Sequence, residues 1–321
     1  MRVQRVRSGE IELAVRVRGE DHRPTAVLVH GYPDTGAMWD EVAGRLAERF
    51  RVVVYDVRGA GASSGPSDPL DYRLDALMGD LEAVLDGVGA GEPVHLVGHD
   101  WGSVQGWEAV IGERLHGRIA SFTSISGPDR RHMARWTRRT VRSGPRGAAE
   151  VLGQACRSVY MPVLMAPRLG EAAARVLSAV FPRVMRLREG AEPRAGHPAE
   201  TLPVDARNGL GLYRANMGRR AKMGRRKAGA TGSAGGDEGR TDVPVQLIVP
   251  VKDKYGSQSL LLSARGPVSR LYVRRAPAGH WVARSHPDLI ARWVSEFVDH
   301  IDGGPETPAL ADARAAGRPG K

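Results

Sequence analysis

The chain has 321 residues, with 47 Lys and Arg against 36 Asp and Glu for a formal charge of +11, and a single cysteine, Cys156. That length exceeds the roughly 250–300 residues at which one hydrophobic core stops growing. One cysteine excludes a disulfide scaffold or a multi-cysteine metal cluster, and no apolar run approaches the roughly 20 residues of a membrane span. The positive charge is nearly all arginine, in a chain rich in Ala, Gly and Val, which marks coding bias and not a basic binding surface, so no nucleic-acid partner is expected. Met1 to Arg18 lacks the apolar stretch of a signal peptide, and a cytoplasmic location is expected.

In chain order, Val3–Val6 and Ile11–Val17 alternate as a β-hairpin across Ser8-Gly9. Thr25–His30 and Arg51–Tyr55 are nearly all apolar, as strands buried on both faces of a parallel sheet are. Met38–Phe50 and Tyr72–Val88 carry apolar residues at helical spacing. Val94–Gly98 predicts the next strand, Ser103–Arg114 a helix, and Ile119–Ser126 a further strand. From Pro128 to about Arg240 the rhythm breaks into helical pieces such as Arg146–Val159 and Gly170–Leu187; it resumes with strands at Val243–Pro250 and Val268–Arg274 and a helix at Asp288–Ile301. The expectation is an α/β fold, a mostly parallel sheet flanked by helices. Residues 1–127 and 241–302 form its core, 128–240 an inserted helical cap and 303–321 a disordered tail. The basic run Arg214–Arg226, continuing into Gly-rich Ala228–Gly239, predicts a solvated loop.

Gly98-His99-Asp100-Trp101-Gly102 lies between the strand at 94–98 and the helix that follows, with the spacing of a nucleophile elbow. An aspartate sits where a serine would activate an ester hydrolase. A carboxylate, with a reference pKa near 3.9, is already an anion at neutral pH. It can displace a leaving group at an sp³ carbon and leave an alkyl ester on the protein. Hydrolysing that ester needs a base, and His280 in Ala278-Gly279-His280-Trp281 follows the last strand. Asp253, just after Val243–Pro250, is the acid that would orient it, with Asp129 as the competing position. The backbone N–H groups of Tyr32, in His30-Gly31-Tyr32-Pro33, and of Trp101 would hold the oxyanion. His30, Pro33 and Trp101 are expected on the substrate side. Asp100 as a mere helix cap is the bland alternative.

The motifs HGYP (30–33), RGAGASS (58–64), GHDWGS (98–103), the aspartate of VKDKY and the histidine of AGHW together resemble the epoxide hydrolase branch of the α/β-hydrolase superfamily. The stretch SFTSISGP (121–128), the HGYP tyrosine and the cap segment are similar to hydrolase domains that some relatives fuse to a short-chain dehydrogenase. This resemblance implies conversion of an epoxide and water to a vicinal diol, with no cofactor or metal and a small hydrophobic epoxide as substrate. It also implies two cap tyrosines that protonate the opened epoxide. Tyr213, in GLYRANM, resembles the second of them, and Tyr160 is the remaining candidate for the first. Haloalkane dehalogenases share the aspartate and the adjacent tryptophan, but they hold halide with Trp or Asn N–H groups. Here Trp136 is the only cap tryptophan. A catalytically inactive hydrolase fold serving as a binding module is the alternative of another class, and a homodimer is left open.

Overall fold

The computed structural model describes residues 1–217 and 239–315. An eight-stranded sheet runs in the order β1-β2-β4-β3-β5-β6-β7-β8. Its strands are β1 Arg2–Ser8, β2 Ile11–Arg18, β3 Thr25–Val29, β4 Arg51–Tyr55, β5 Val94–His99, β6 Ile119–Ile125, β7 Val245–Pro250 and β8 Leu271–Ala276. The β1–β2 and β2–β4 pairings are antiparallel and all the others parallel. Reversal of strand order around β3 and β5 opens a crevice at the carboxyl ends of the strands, where open α/β sheets bind ligands.

Side-chain alternation splits the core into two layers. Val27, Val29, Leu96 and Phe122 face α2 (Leu74–Gly87) and α3 (Trp101–Ile111), which contribute Leu77, Leu81 and Trp107. Leu28, Val54, Val97, Ile125 and Ile248 face the opposite layer, built from Trp39, from Val42 and Leu46 of α1 (Asp40–Leu46), and from Ile290, Val294 and Val298 of the long C-terminal helix Pro287–Ile301. The helix expected over Met38–Phe50 is shorter than its apolar spacing: one tight turn, Gly36–Trp39, precedes α1. The last strand begins at Leu271 and not Val268, because its register follows β7 residue for residue and Val268 makes only isolated bridges.

Between β6 and β7 the described residues form six α-helices outside the sheet: α4 Arg130–Arg142, α5 Pro145–Arg157, α6 Tyr160–Met165, α7 Leu169–Val184, α8 Leu202–Asn208 and α9 Leu210–Asn216. The predicted basic, Gly-rich loop falls largely on 218–238, outside the described residues. The disordered tail expected from 303 is corrected up to residue 315. Thr307 caps a helix at Pro308–Ala313, Leu310 is fully buried against Tyr272 and Phe297, and the Ala315 N–H donates to the Leu271 carbonyl. A single leucine in an Ala-, Gly- and Pro-rich segment supplies the anchor that composition hides.

Candidate active site

The turn from β5 into α3 carries Asp100 at φ 52°, ψ −119°, a left-handed conformation in which a non-glycine residue is strained. Close packing makes the turn possible: a Cβ on Gly102 would overlap the Val29 carbonyl oxygen. Asp100 stands at the N-terminus of α3 but makes no side-chain cap bond to it, so capping does not explain the residue. Its Oδ1 instead accepts the Tyr32 backbone N–H at 2.8 Å, and the Trp101 backbone N–H likewise favours the charged carboxylate. Gly31 brings that turn close, since a Cβ there would collide with the Asp100 carboxylate.

His280 Nε2 lies 3.7 Å from Asp100 Oδ2, beyond direct hydrogen-bond reach. His280 Nδ1 pairs with Asp253 Oδ2 at 2.9 Å, and Asp253 Oδ1 accepts the Tyr255 and Gly256 N–H groups at 2.7 and 3.2 Å. Burial by itself would raise Asp253, but the His280 charge and hydrogen bond, with the two amides, hold it below the usual carboxylate range. Burial would depress His280, yet Asp253 first, then Asp100 and Glu189, lift it to about 9. Burial pushes Asp100 up, opposed by the His280 charge and the two backbone N–H groups.

The cap closes over this row. Tyr213, fully buried on α9, stacks edge-on against Trp101 at 5.1 Å and Tyr32 at 5.3 Å. It meets the ring of Tyr160, at the start of α6, edge-on, the two rings 6.2 Å apart. Burial, and the nearby Asp100 charge, push both phenols well above their usual range, so both remain proton donors.

Two expected residues have other duties. His30, placed on the substrate side by the sequence reading, is 3% exposed and spent on backbone: Nε2 accepts the Val57 N–H at 2.9 Å, leaving Nδ1–H to donate to the Gly31 carbonyl. With Pro33 it lines a cavity of about 20 Å³ behind the Tyr32 turn, the size of one water. Asp129 caps α4, accepting the Arg131 and His132 N–H groups at 2.7 and 3.1 Å, and pairs with the Arg131 guanidinium. Asp129→Ala is therefore expected to cost about 1–2 kcal/mol of stability in denaturant titration while turnover persists. Lost turnover at unchanged stability would return Asp129 to the role of histidine partner.

Several neighbours escaped the sequence reading. Tyr255 sits inside the motif that supplied Asp253, its ring 4.7 Å from His280 and 5.6 Å from Tyr160. His99, depressed to about 3 by burial and the His280 charge, stays neutral, and its Nε2 donates to the His280 carbonyl at 2.9 Å. Asp34, directly after HGYP, accepts the Trp281 indole N–H and pairs with His197 of the cap, both at 2.7 Å. Arg284 Nε donates to the other His197 nitrogen at 3.1 Å. Position beside a motif signals Asp34 and His99. Glu189, which accepts the Trp281 N–H from the far side of the cap at 3.2 Å, has no such signal.

Sheet order, elbow and inserted helices define an α/β hydrolase, and residues 24–156 match the family described as alpha/beta hydrolase fold. The chain has the α/β-hydrolase fold with a helical insertion. It is similar to EphD of Mycobacterium tuberculosis, named a probable oxidoreductase, at 38% identity over 96% of this chain and 51% of the relative. The chain thus spans about half the length of the curated relatives it matches across its full extent. Epoxide hydrolase A of Mycobacterium tuberculosis is 38% identical over 37% of the chain and 36% of its own length. Among solved structures, an epoxide hydrolase of Bacillus megaterium bound to an inhibitor superposes with TM-score 0.72 at 20% identity, covering 92% of this chain and all of that one. An epoxide hydrolase from Vigna radiata gives 0.68 at 22% identity, covering 93% and 98%. These structural likenesses show the fold. No helix among the described residues is long and apolar enough to cross a membrane.

Proposed function

We propose that this chain is an epoxide hydrolase that adds water to a small hydrophobic epoxide through a covalent ester on Asp100. The observation that carries the reading is the pair of cap phenols, buried Tyr213 and half-buried Tyr160, set edge-on to each other with the Asp100 charge nearby. Opening an epoxide makes an alkoxide, and a phenol held protonated by burial is the acid that quenches it. Asp100 Oδ2 attacks an epoxide carbon, the C–O bond breaks, and the oxygen takes a proton from the tyrosine pair. Asp100 Oδ1 is then the ester carbonyl oxygen. His280, oriented by Asp253, takes a proton from water as that water attacks the ester carbon, and the Tyr32 and Trp101 N–H groups hold the oxyanion. The leaving alkoxide, carrying the original Oδ2, takes the proton from His280; the water oxygen stays on Asp100, and its remaining proton restores the tyrosine.

Halide release is the poorer fit. The Trp136 indole N–H donates to Ser259 Oγ at 2.8 Å and is not free to grip an anion, and Tyr32 stands where an Asn side chain would be wanted. Trp101 is left as the single indole beside Asp100.

The deciding measurement is product analysis on a panel of terminal and aryl epoxides beside a panel of bromoalkanes. Diol formation without halide release is the expected outcome. Bromide release with no diol would replace the reading by a dehalogenase, and silence on both panels would leave an inactive binding fold.

A further inference from the structure

The outer face of the cap is unusually apolar. Of the twelve large hydrophobic residues exposed among the described residues, nine lie between 141 and 204. Four form a stripe along α7 and the turn that continues it: Leu169, Val176, Val180 and Leu187, which are 57%, 63%, 40% and 72% exposed. Spacings of seven, four and seven residues keep them on one side of a helix, and they run roughly 27 Å at 1.5 Å per residue. The opposite side of α7 is spent on the protein: Ala174 and Phe181 are buried, and Phe181 packs edge-on against Trp281, next to His280, at 5.3 Å. The exposed stripe is therefore surplus to folding. Val163 on α6 and Val204 on α8, the two helices packed beside α7, are exposed as well. Contiguous apolar surface of this kind marks an interaction site.

Charge selects the partner. Arg168 precedes the stripe, and Arg175, Arg183 and Arg186 follow its edge, all exposed and none in a salt bridge with a described residue. Glu171, the acidic residue within α7, is turned inward to Arg214. A second copy docking face to face would set these arginines against one another in a chain already at +11. An anionic bilayer instead meets both requirements at once, since it accepts apolar side chains at its acyl boundary and neutralises arginine at its headgroups. We infer that the α7 face of the cap docks on anionic lipid membranes as a peripheral contact. This is a property of the surface, independent of the reaction assigned to Asp100.

The test is co-sedimentation of the full chain with vesicles of phosphatidylcholine mixed with phosphatidylglycerol, against phosphatidylcholine alone. Binding is expected to the anionic vesicles, falling with added salt. Val176→Glu with Val180→Glu should weaken it about tenfold or more, because two charges enter the interface. Arg175→Gln and Arg186→Gln should each weaken it about fivefold. Unchanged melting temperature identifies these exposed-site variants as folded, and the arginine variants keep the test intact if the glutamates disturb α7. Absence of binding to anionic vesicles would overturn the inference, as would binding indifferent to the substitutions. A dimer on size-exclusion chromatography that dissolves in the double glutamate variant would also overturn it, by giving the stripe to a second copy.

Discussion

Asp100→Ala is expected to lower epoxide turnover by about 10⁴-fold or more, since the nucleophile has no substitute in the site. Asp253 is bonded to His280 and two backbone amides, and Asp34 to His197 and the Trp281 indole, so both neighbouring carboxylates are already spent. Fold should survive: the Asp100 side chain makes no cap bond to α3, and Ala keeps the same Cβ at the turn, so the main loss is the Tyr32 N–H bond. The complementary experiment uses the unmodified chain. One turnover in heavy-oxygen water should leave the label in the Asp100 carboxylate and an unlabelled diol, because water attacks the ester carbon and not the epoxide. Label found directly in the diol would mean that His280 drives water onto the epoxide, with Asp100 as a bystander.

His280→Gln separates the two halves of the reaction. Attack by Asp100 needs no base, so the ester should form and persist, visible by mass spectrometry as the protein plus one substrate. Steady-state turnover should fall by about 10³-fold or more. The pH dependence of the unmodified chain follows from the same geometry. In the resting site His280 is raised to about 9, in part by the Asp100 charge. Esterification removes that charge, so the pKa drops below its resting value at the moment when a neutral imidazole is required. Ester decay in a single-turnover experiment should therefore slow on acidification, with a midpoint below about 9, whereas ester formation should not share that limb. Ester decay indifferent to pH would remove His280 as the base.

How much of this was legible in the sequence depended on how local each cause is. The buried strands and the elbow are local. An apolar run of five residues and the spacing of Gly98, Asp100 and Gly102 state them outright, and the sheet follows. The pairing of Asp253 with His280 was readable because chain order in this fold implies it. Asp253 already ranks ahead of Asp129 in the sequence, and the structure supplies a reason: Asp129 is consumed by the first turn of α4. The backbone bonds of His30 were not readable, because a motif gives the position of a residue and not the direction of its ring. Glu189, His197 and Arg284 act across the seam between cap and core, and such contacts leave no periodic trace. The tail failed for the converse reason: composition averages away the one leucine that decides its fate.

The site of the cap insertion has a consequence for how such a chain can change. β6 and β7 are hydrogen-bonded neighbours, so everything between Ile125 and Val245 is, to the sheet, one loop with fixed ends. Closing a loop costs entropy only as the logarithm of its length, about 0.6 kcal/mol for each doubling. A helix added, lost or exchanged there is thermodynamically inexpensive, whereas one residue inserted in β5 would rotate the elbow away from Tyr32. The two cap tyrosines and the outward stripe of α7 thus ride on the one stretch that can be rewritten while Asp100, Asp253 and His280 stay where they are. New substrates and new docking partners can be tried there without rebuilding the reaction.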